Sequence, residues 1–201
     1  MNRTGPITGQ AGAPNPKQRV FLNMAYGPES ETLALAYISV LEALDLAPVL
    51  ALQTTDSGRR LDHIQNLLSS CPYSLHDLHR VGESRWNMIL ELGMAIERTP
   101  QHYWFVLDSN SRRALRALSD LNGTDIFEHC GTPSGVIGAV LDIFSRPGQK
   151  ISVVQVEETY RKFRRIAKRL LKQQKATSVF EPRIFVRLAD EAAQLRTKVR
   201  P

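Results

Sequence analysis

The chain has 201 residues, of which 42% are hydrophobic and 23% charged; this is the balance of a globular protein, not a disordered one, and the length fits one ordinary domain with an extension. No apolar run approaches the roughly 20 residues that a bilayer-crossing helix needs. The net charge of +6 is unevenly placed, with thirteen Lys/Arg against five Asp/Glu from Ile151 to Pro201 and thirteen against fifteen before it. The basic character therefore belongs to the tail, and charge alone gives no reason to read the main domain as a nucleic-acid binder.

The opening residues 1–17 are rich in Gly, Pro, Asn and Thr and lack the apolar segment of a secretory signal, so they read as a flexible arm. With no such signal, Cys71 and Cys130 are expected to be reduced thiols in a cytoplasmic protein. Arg19–Met24 is a short run of β-formers, broken by Gly27-Pro28. Pro28 suits a first helical position, and Leu33, Ala34, Tyr37, Ile38, Leu41 and Leu44 then recur at helical spacing. A second strand is expected over Ala47–Leu52, a polar loop over Gln53–Arg60, and a helix marked by Leu61, Ile64, Leu67 and Leu68. Tyr73–Leu78 reads as a third strand despite His76 and Asp77, and a third helix runs to Ile96 from near Ser84 or Arg85. Tyr103–Leu107 is apolar throughout and is the clearest strand. A helix through Ala114 and Leu121 ends at Asn122-Gly123, a short fifth strand covers Thr124–Phe127, and Pro133–Phe144 is the last helix of the domain.

Strands that alternate with helices and are apolar on both faces predict a parallel sheet covered on both sides. Five strands predict the flavodoxin-like order 2-1-3-4-5, whose ligands bind at the carboxyl ends of the strands. That edge collects Asn23–Glu29, Gln53–Arg60, Asp77–Trp86 and Asp108–Ser111. The reading is an α/β domain over 18–146 followed by a basic helical tail over 150–201. In the tail, Ser152 and Gln155 fit a capping box. Val153, Val156, Tyr160, Phe163, Ile166 and Leu170 form an apolar stripe, flanked by basic residues between Arg161 and Lys175. Such a stripe packs on its own domain or on a second copy, and its basic side fits nucleic acid or an anionic membrane surface. Pro182 opens a final helix to about Arg196.

There is no G-x-x-x-x-G-K-[ST] loop, no G-x-G-x-x-G fingerprint and no G-x-S-x-G elbow. The five His and two Cys do not reach zinc spacing, so no metal site is expected. Gly131–Gly138 holds Pro133 and reads as a helix start.

Several segments resemble a family of bacterial proteins similar to Toll/interleukin-receptor (TIR) domains and nucleoside 2-deoxyribosyltransferases. The strand-1 pattern F-I-N-x-P-[FY] is matched in part by Phe21-Leu22-Asn23-Met24-Ala25-Tyr26, and Asp56-Ser57-Gly58-Arg59-Arg60-Leu61 is a shortened D-S-G-x-x-R-L. The pattern S-x-Y-[SG]-I-H-D-[IL]-S-R corresponds to Ser70 through Arg80, with Pro72 inserted in it and His79 for Ser. Arg85 through Gly93 follows R-[FW]-N-M-P-x-E-L-G, with Ile89 for Pro, and Ser119 through Ile126 follows S-D-x-x-G-x-D-I. The match spans roughly residues 19–144.

The resemblance implies an N-glycosidase of nucleosides or nucleotides, with NAD hydrolysis and a bacterial defence or toxin role among its forms. NAD or a nucleoside would then be substrate, not cofactor. It also implies assembly into oligomers. In both relatives a Glu on the helix after the third strand acts at the N-glycosidic carbon, and Glu91 falls on that helix. Such chemistry builds positive charge on the sugar, which a carboxylate stabilises or attacks.

Around Glu91, the candidates other than Asn87 have two readings each. Asn87 lies one turn before Glu91 and would share its face. Trp86 suits stacking on a base or packing in the core. Asp77 suits ribose hydroxyls or the cap of the next helix. Asn23 and Tyr26 line a pocket or form a turn. Ser57, Gly58 and Arg59 hold a phosphate or form a solvated loop. Arg85 belongs with the substrate, or else pairs with Glu91 in a salt bridge, as Arg59 or His76 also would. If Glu91 is structural, the chain is instead a non-catalytic nucleotide-binding or protein-interaction module.

Overall fold

A computed structural model describes residues 18–52, 59–79, 86–112, 121, 123–145 and 151–197. Strands β1 (Gln18–Asn23), β2 (Leu46–Leu50), β3 (Tyr73–Asp77), β4 (Tyr103–Asp108) and β5 (Ile126–Glu128) form one all-parallel sheet in the order 2-1-3-4-5. The expected flavodoxin-like arrangement is the one found. Pro48 sits inside β2, which the topology explains: β2 is an edge strand, where a missing N–H costs no ladder bond on the open side. The described helices are α1 (Glu31–Ala43), α2 (Arg60–Ser70), α3 (Trp86–Glu97), α4 (Pro133–Phe144), α5 (Val153–Gln174) and α6 (Pro182–Thr197). The helix expected over Ala114–Leu121 lies, apart from Leu121, outside the described residues.

Side-chain alternation along the strands builds two cores. Val20, Leu22, Tyr73 and Leu75 face α1 and α4. Phe21 faces the other way, onto Ile64, Leu67 and Leu68 of α2 and Ala95 of α3. Helix α1 is buried from Leu33 to Glu42, since the sheet, α4, α5 and α6 surround it. That explains an all-round apolar sequence without a polar stripe.

The C-terminal helices belong to the larger core. Val156, Tyr160, Phe163, Ala167 and Leu170 of α5, with Ile184, Phe185, Leu188 and Ala192 of α6, join the cluster around α1. The stripe of α5 is thus covered from within the same chain. Val153, expected in that stripe, is exposed instead, because it lies at the first residue of the helix. Ser152 and Gln155 make the capping box the sequence signals. Tyr160 Oη donates to the Thr32 carbonyl (3.4 Å), and Val179 N–H donates to Glu31 Oε1 (3.2 Å). An ion pair joins Arg196 to Asp45. Among the described residues no helix is long and apolar enough to cross a membrane.

Candidate functional site

Parallel strands deliver the ends of β1, β3, β4 and β5 to one edge of the sheet, and the first turn of α3 lies over it. Glu91 is on the inner side of α3 with Met88, Leu92 and Ala95, and only 3% of its surface is exposed. Burial pushes its carboxyl up to about 7, against the opposing pull of the Arg60 guanidinium and a hydrogen bond with Asn87. A carboxyl held there is divided between its two protonation states at neutral pH. Tyr26, on the loop after β1, is coupled to the same charge. Its hydroxyl is pushed well above the ordinary phenol range by burial and by Glu91, while Arg60 and a hydrogen bond with the Ala51 backbone oppose this. Arg60 Nη1 donates to the Ala51 carbonyl (3.3 Å), which holds the guanidinium at the end of β2. Glu91, Asn87, Tyr26 and Arg60 therefore form one cluster, drawn from α3, the β1 loop and the start of α2.

Asn23 faces inward and anchors this cluster. As the last residue of β1 it lies beside His76 of β3. Its amide Nδ2 donates one proton to His76 Nδ1 (2.9 Å) and the other to the Met88 carbonyl (2.8 Å). The second bond ties the first turn of α3, three residues before Glu91, to the sheet. His76 continues the chain: its Nε2 reaches Ser74 Oγ (2.8 Å), Ser74 Oγ reaches His102 Nε2 (2.7 Å), and His102 Nδ1 reaches the Cys71 carbonyl (2.7 Å). A carbonyl only accepts, so His102 carries its proton on Nδ1. Asn23 Nδ2 only donates, so His76 carries its proton on Nε2. Every donor in the line then points the same way, toward Cys71. Burial, reinforced by the neighbouring His102, pushes His76 down to about 3, and burial also lowers His102, so both rings are neutral at physiological pH.

Asp77, the next residue, points to the opposite face. Its carboxylate accepts from Tyr37 Oη (3.0 Å), His129 Nε2 (3.1 Å) and the His79 backbone N–H (2.9 Å). The last contact is a local turn at the end of β3, nine residues before α3 begins, and is not a helix cap. His129 Nδ1 in turn accepts from Gly131 N–H (3.1 Å). Asp77 is thus an internal hub joining β3, α1 and the β5–α4 turn, and is 4% exposed. That turn needs Gly135, because a Cβ there would stand 2.0 Å from the His129 carbonyl oxygen. Thr132 caps α4 by accepting from Gly135 N–H (3.0 Å), which makes the Gly-rich stretch a helix start.

The remaining candidates divide. Trp86 is 72% exposed and shares the outer face of α3 with Leu90 and Gly93, so core packing is excluded and it is not beside Glu91. Arg59 is exposed at the N-cap of α2, one residue before Arg60, whose charge acts on Glu91 through space. Ser57 and Arg85 lie outside the described residues. The salt bridge from Glu91 to His76 is not formed, because His76 spends both ring nitrogens on Asn23 and Ser74. Sequence reasoning missed Arg60, Tyr37, His102 and His129. The available signal was polar: Ser74, His76 and Asp77 sit in a central strand, where each demands a buried partner. Among the described residues no group of three or more His, Cys, Asp or Glu is arranged to hold a metal ion. No protein-family model, curated protein or solved structure matches this chain.

Proposed function

We propose that the chain is an N-glycosidase acting on a nucleoside or nucleotide, with Glu91 as the catalytic carboxylate and NAD as the first substrate to test. The observation that carries the reading is a carboxyl buried at the carboxyl edge of a 2-1-3-4-5 parallel sheet and raised to about 7. A salt-bridge acid is usually held below the ordinary carboxylate range, whereas burial at a ligand-binding edge is how a reactive carboxyl is tuned. The motif resemblance around Arg85–Gly93 points to the same residue.

In this reading Glu91 works in its ionised form. Cleavage of the C1′–N bond leaves the electron pair on the departing base and positive charge on the sugar. The carboxylate stabilises that charge or bonds to C1′; water then adds its oxygen to C1′, displacing the carboxylate where it had bonded, and its second proton passes to solvent. From NAD the nicotinamide departs neutral and needs no proton. Asn87 orients Glu91, Arg60 attracts a phosphate or offsets the carboxylate, and Tyr26 stands near the carboxyl as a further polar group. Asn23 acts at one remove, by fixing α3.

The test is release of free base from NAD and a panel of ribo- and deoxyribonucleosides, comparing wild type with Glu91→Gln at high protein concentration. Cleavage by wild type alone, with the variant folded, supports the proposal. Equal cleavage by both removes Glu91 from the chemistry.

A further inference from the structure

The outer side of α5, with its C-cap Lys175, carries eight cations in fifteen residues: Arg161, Lys162, Arg164, Arg165, Lys168, Arg169, Lys172 and Lys175, all exposed. At about 100° per residue they fall within an arc of about 160°, while the buried Val156, Tyr160, Phe163, Ala167 and Leu170 occupy the opposite side. Arg161, Arg165, Lys168 and Lys172 form a central ridge about 16 Å long at 1.5 Å per residue. Arg164 and Lys175 flank it on one side, Lys162 and Arg169 on the other. Arg161 pairs with Glu157 on its own helix (3.5 Å), an exposed contact that water and salt weaken.

We infer that this face of α5 binds the phosphates of double-stranded DNA, with the ridge entering the major groove and the flanks reaching its two walls. The major groove, about 12 Å wide, admits a helix, and cations spread over a wide arc meet both of its rims. A flat anionic membrane would meet only the ridge. Membrane insertion would need the apolar side of the helix, which is already packed against α1. A second copy of the same face is repelled. Nothing in this inference depends on Glu91.

Fluorescence anisotropy with a labelled random-sequence DNA duplex, titrated at several salt concentrations, tests it on the full chain. Counterion release predicts that log K falls against log[salt] with a slope of about −0.9 per phosphate neutralised, so a slope steeper than about −4 is expected. Replacing Arg161, Arg165, Lys168 and Lys172 together by Ala keeps helix propensity. It should flatten the slope by about 3–4 and weaken binding at 0.1 M salt by at least about 30-fold. Duplex RNA, whose deep narrow major groove shuts out a helix, should bind more weakly. Glu91→Gln should bind DNA as wild type does, which separates this inference from the glycosidase proposal.

The inference is overturned if the duplex does not bind or if the quadruple variant binds it as tightly as wild type. It is equally overturned if RNA and DNA duplexes bind alike, or if phosphatidylserine vesicles bind the wild type and DNA does not.

Discussion

A buried carboxyl whose pKa is raised destabilises the fold whenever it is ionised, and replacing Glu91 by Gln should release that cost. The ordinary value of 4.5 is raised to about 7 by burial. Each unit corresponds to about 1.4 kcal/mol, so at pH 8 the penalty is about 3 kcal/mol. The sign follows from proton counts. Between pH 4.5 and 7 the folded state holds more protons than the unfolded one, so this residue's contribution to stability falls as pH rises. It vanishes below pH 4.5, where the carboxyl is protonated in both states. Gln keeps the shape and a carbonyl acceptor for Asn87 without the charge.

His76 contributes the opposite slope over pH 3 to 6.5. Its folded-state pKa is depressed to about 3, so stability is lost as pH falls through that range. The difference between Glu91→Gln and wild type cancels the His76 term. Urea unfolding of both proteins from pH 4.5 to 8 should show that difference growing from near zero to about 3 kcal/mol in favour of the variant. For a chain of this size that is roughly 6–12 °C in Tm. A difference that does not change with pH, or a variant less stable than wild type at pH 8, would refute the reasoning.

Other residues give independent expectations. With NAD as substrate, kcat/KM should rise with pH as a single ionisation near 7 and level off above it, because the ionised carboxyl is the working form and the leaving group needs no proton; a profile that falls through 7 would make Glu91 a general acid. Asn23→Leu strands the Met88 carbonyl and His76 Nδ1 in the core and should cost about 1–3 kcal/mol in denaturant unfolding. Phe163→Ala removes a fully buried ring that joins α5 to the main core. It should cost about 3–5 kcal/mol in a single cooperative transition; a separate early transition would show that the C-terminal helices unfold alone. Gly135→Ala, with its Cβ 2.0 Å from the His129 carbonyl oxygen, should open the β5–α4 turn, detectable as lost hydrogen-exchange protection at His129 and Gly131.

The fold was written plainly in the alternation of apolar runs. Short strands buried on both faces, separated by helical periods, leave few topologies besides a parallel sheet, and the observed order is the expected one. The burial of Glu91 with Met88, Leu92 and Ala95 follows from the phase of α3, and the same phase turns Trp86 outward. Arg59 and Arg60 differ by one residue, and which of them stands near enough for its charge to act on Glu91 depends on where α2 begins, the least certain feature of any sequence reading. The line from Asn23 to Cys71 was not visible at all. It joins residues 28 and 53 positions apart, and only strand register brings them together.

The central claim is that Glu91 performs chemistry on a bound nucleoside or nucleotide, and the most direct measurement separates binding from cleavage. Wild type and Glu91→Gln are each titrated with NAD by calorimetry, and free nicotinamide in the same samples is then quantified by chromatography. The account predicts that both proteins bind and that only wild type releases nicotinamide. Binding of equal strength by both, with no nicotinamide released by either, would contradict it and leave a nucleotide-binding module in which Glu91 is structural.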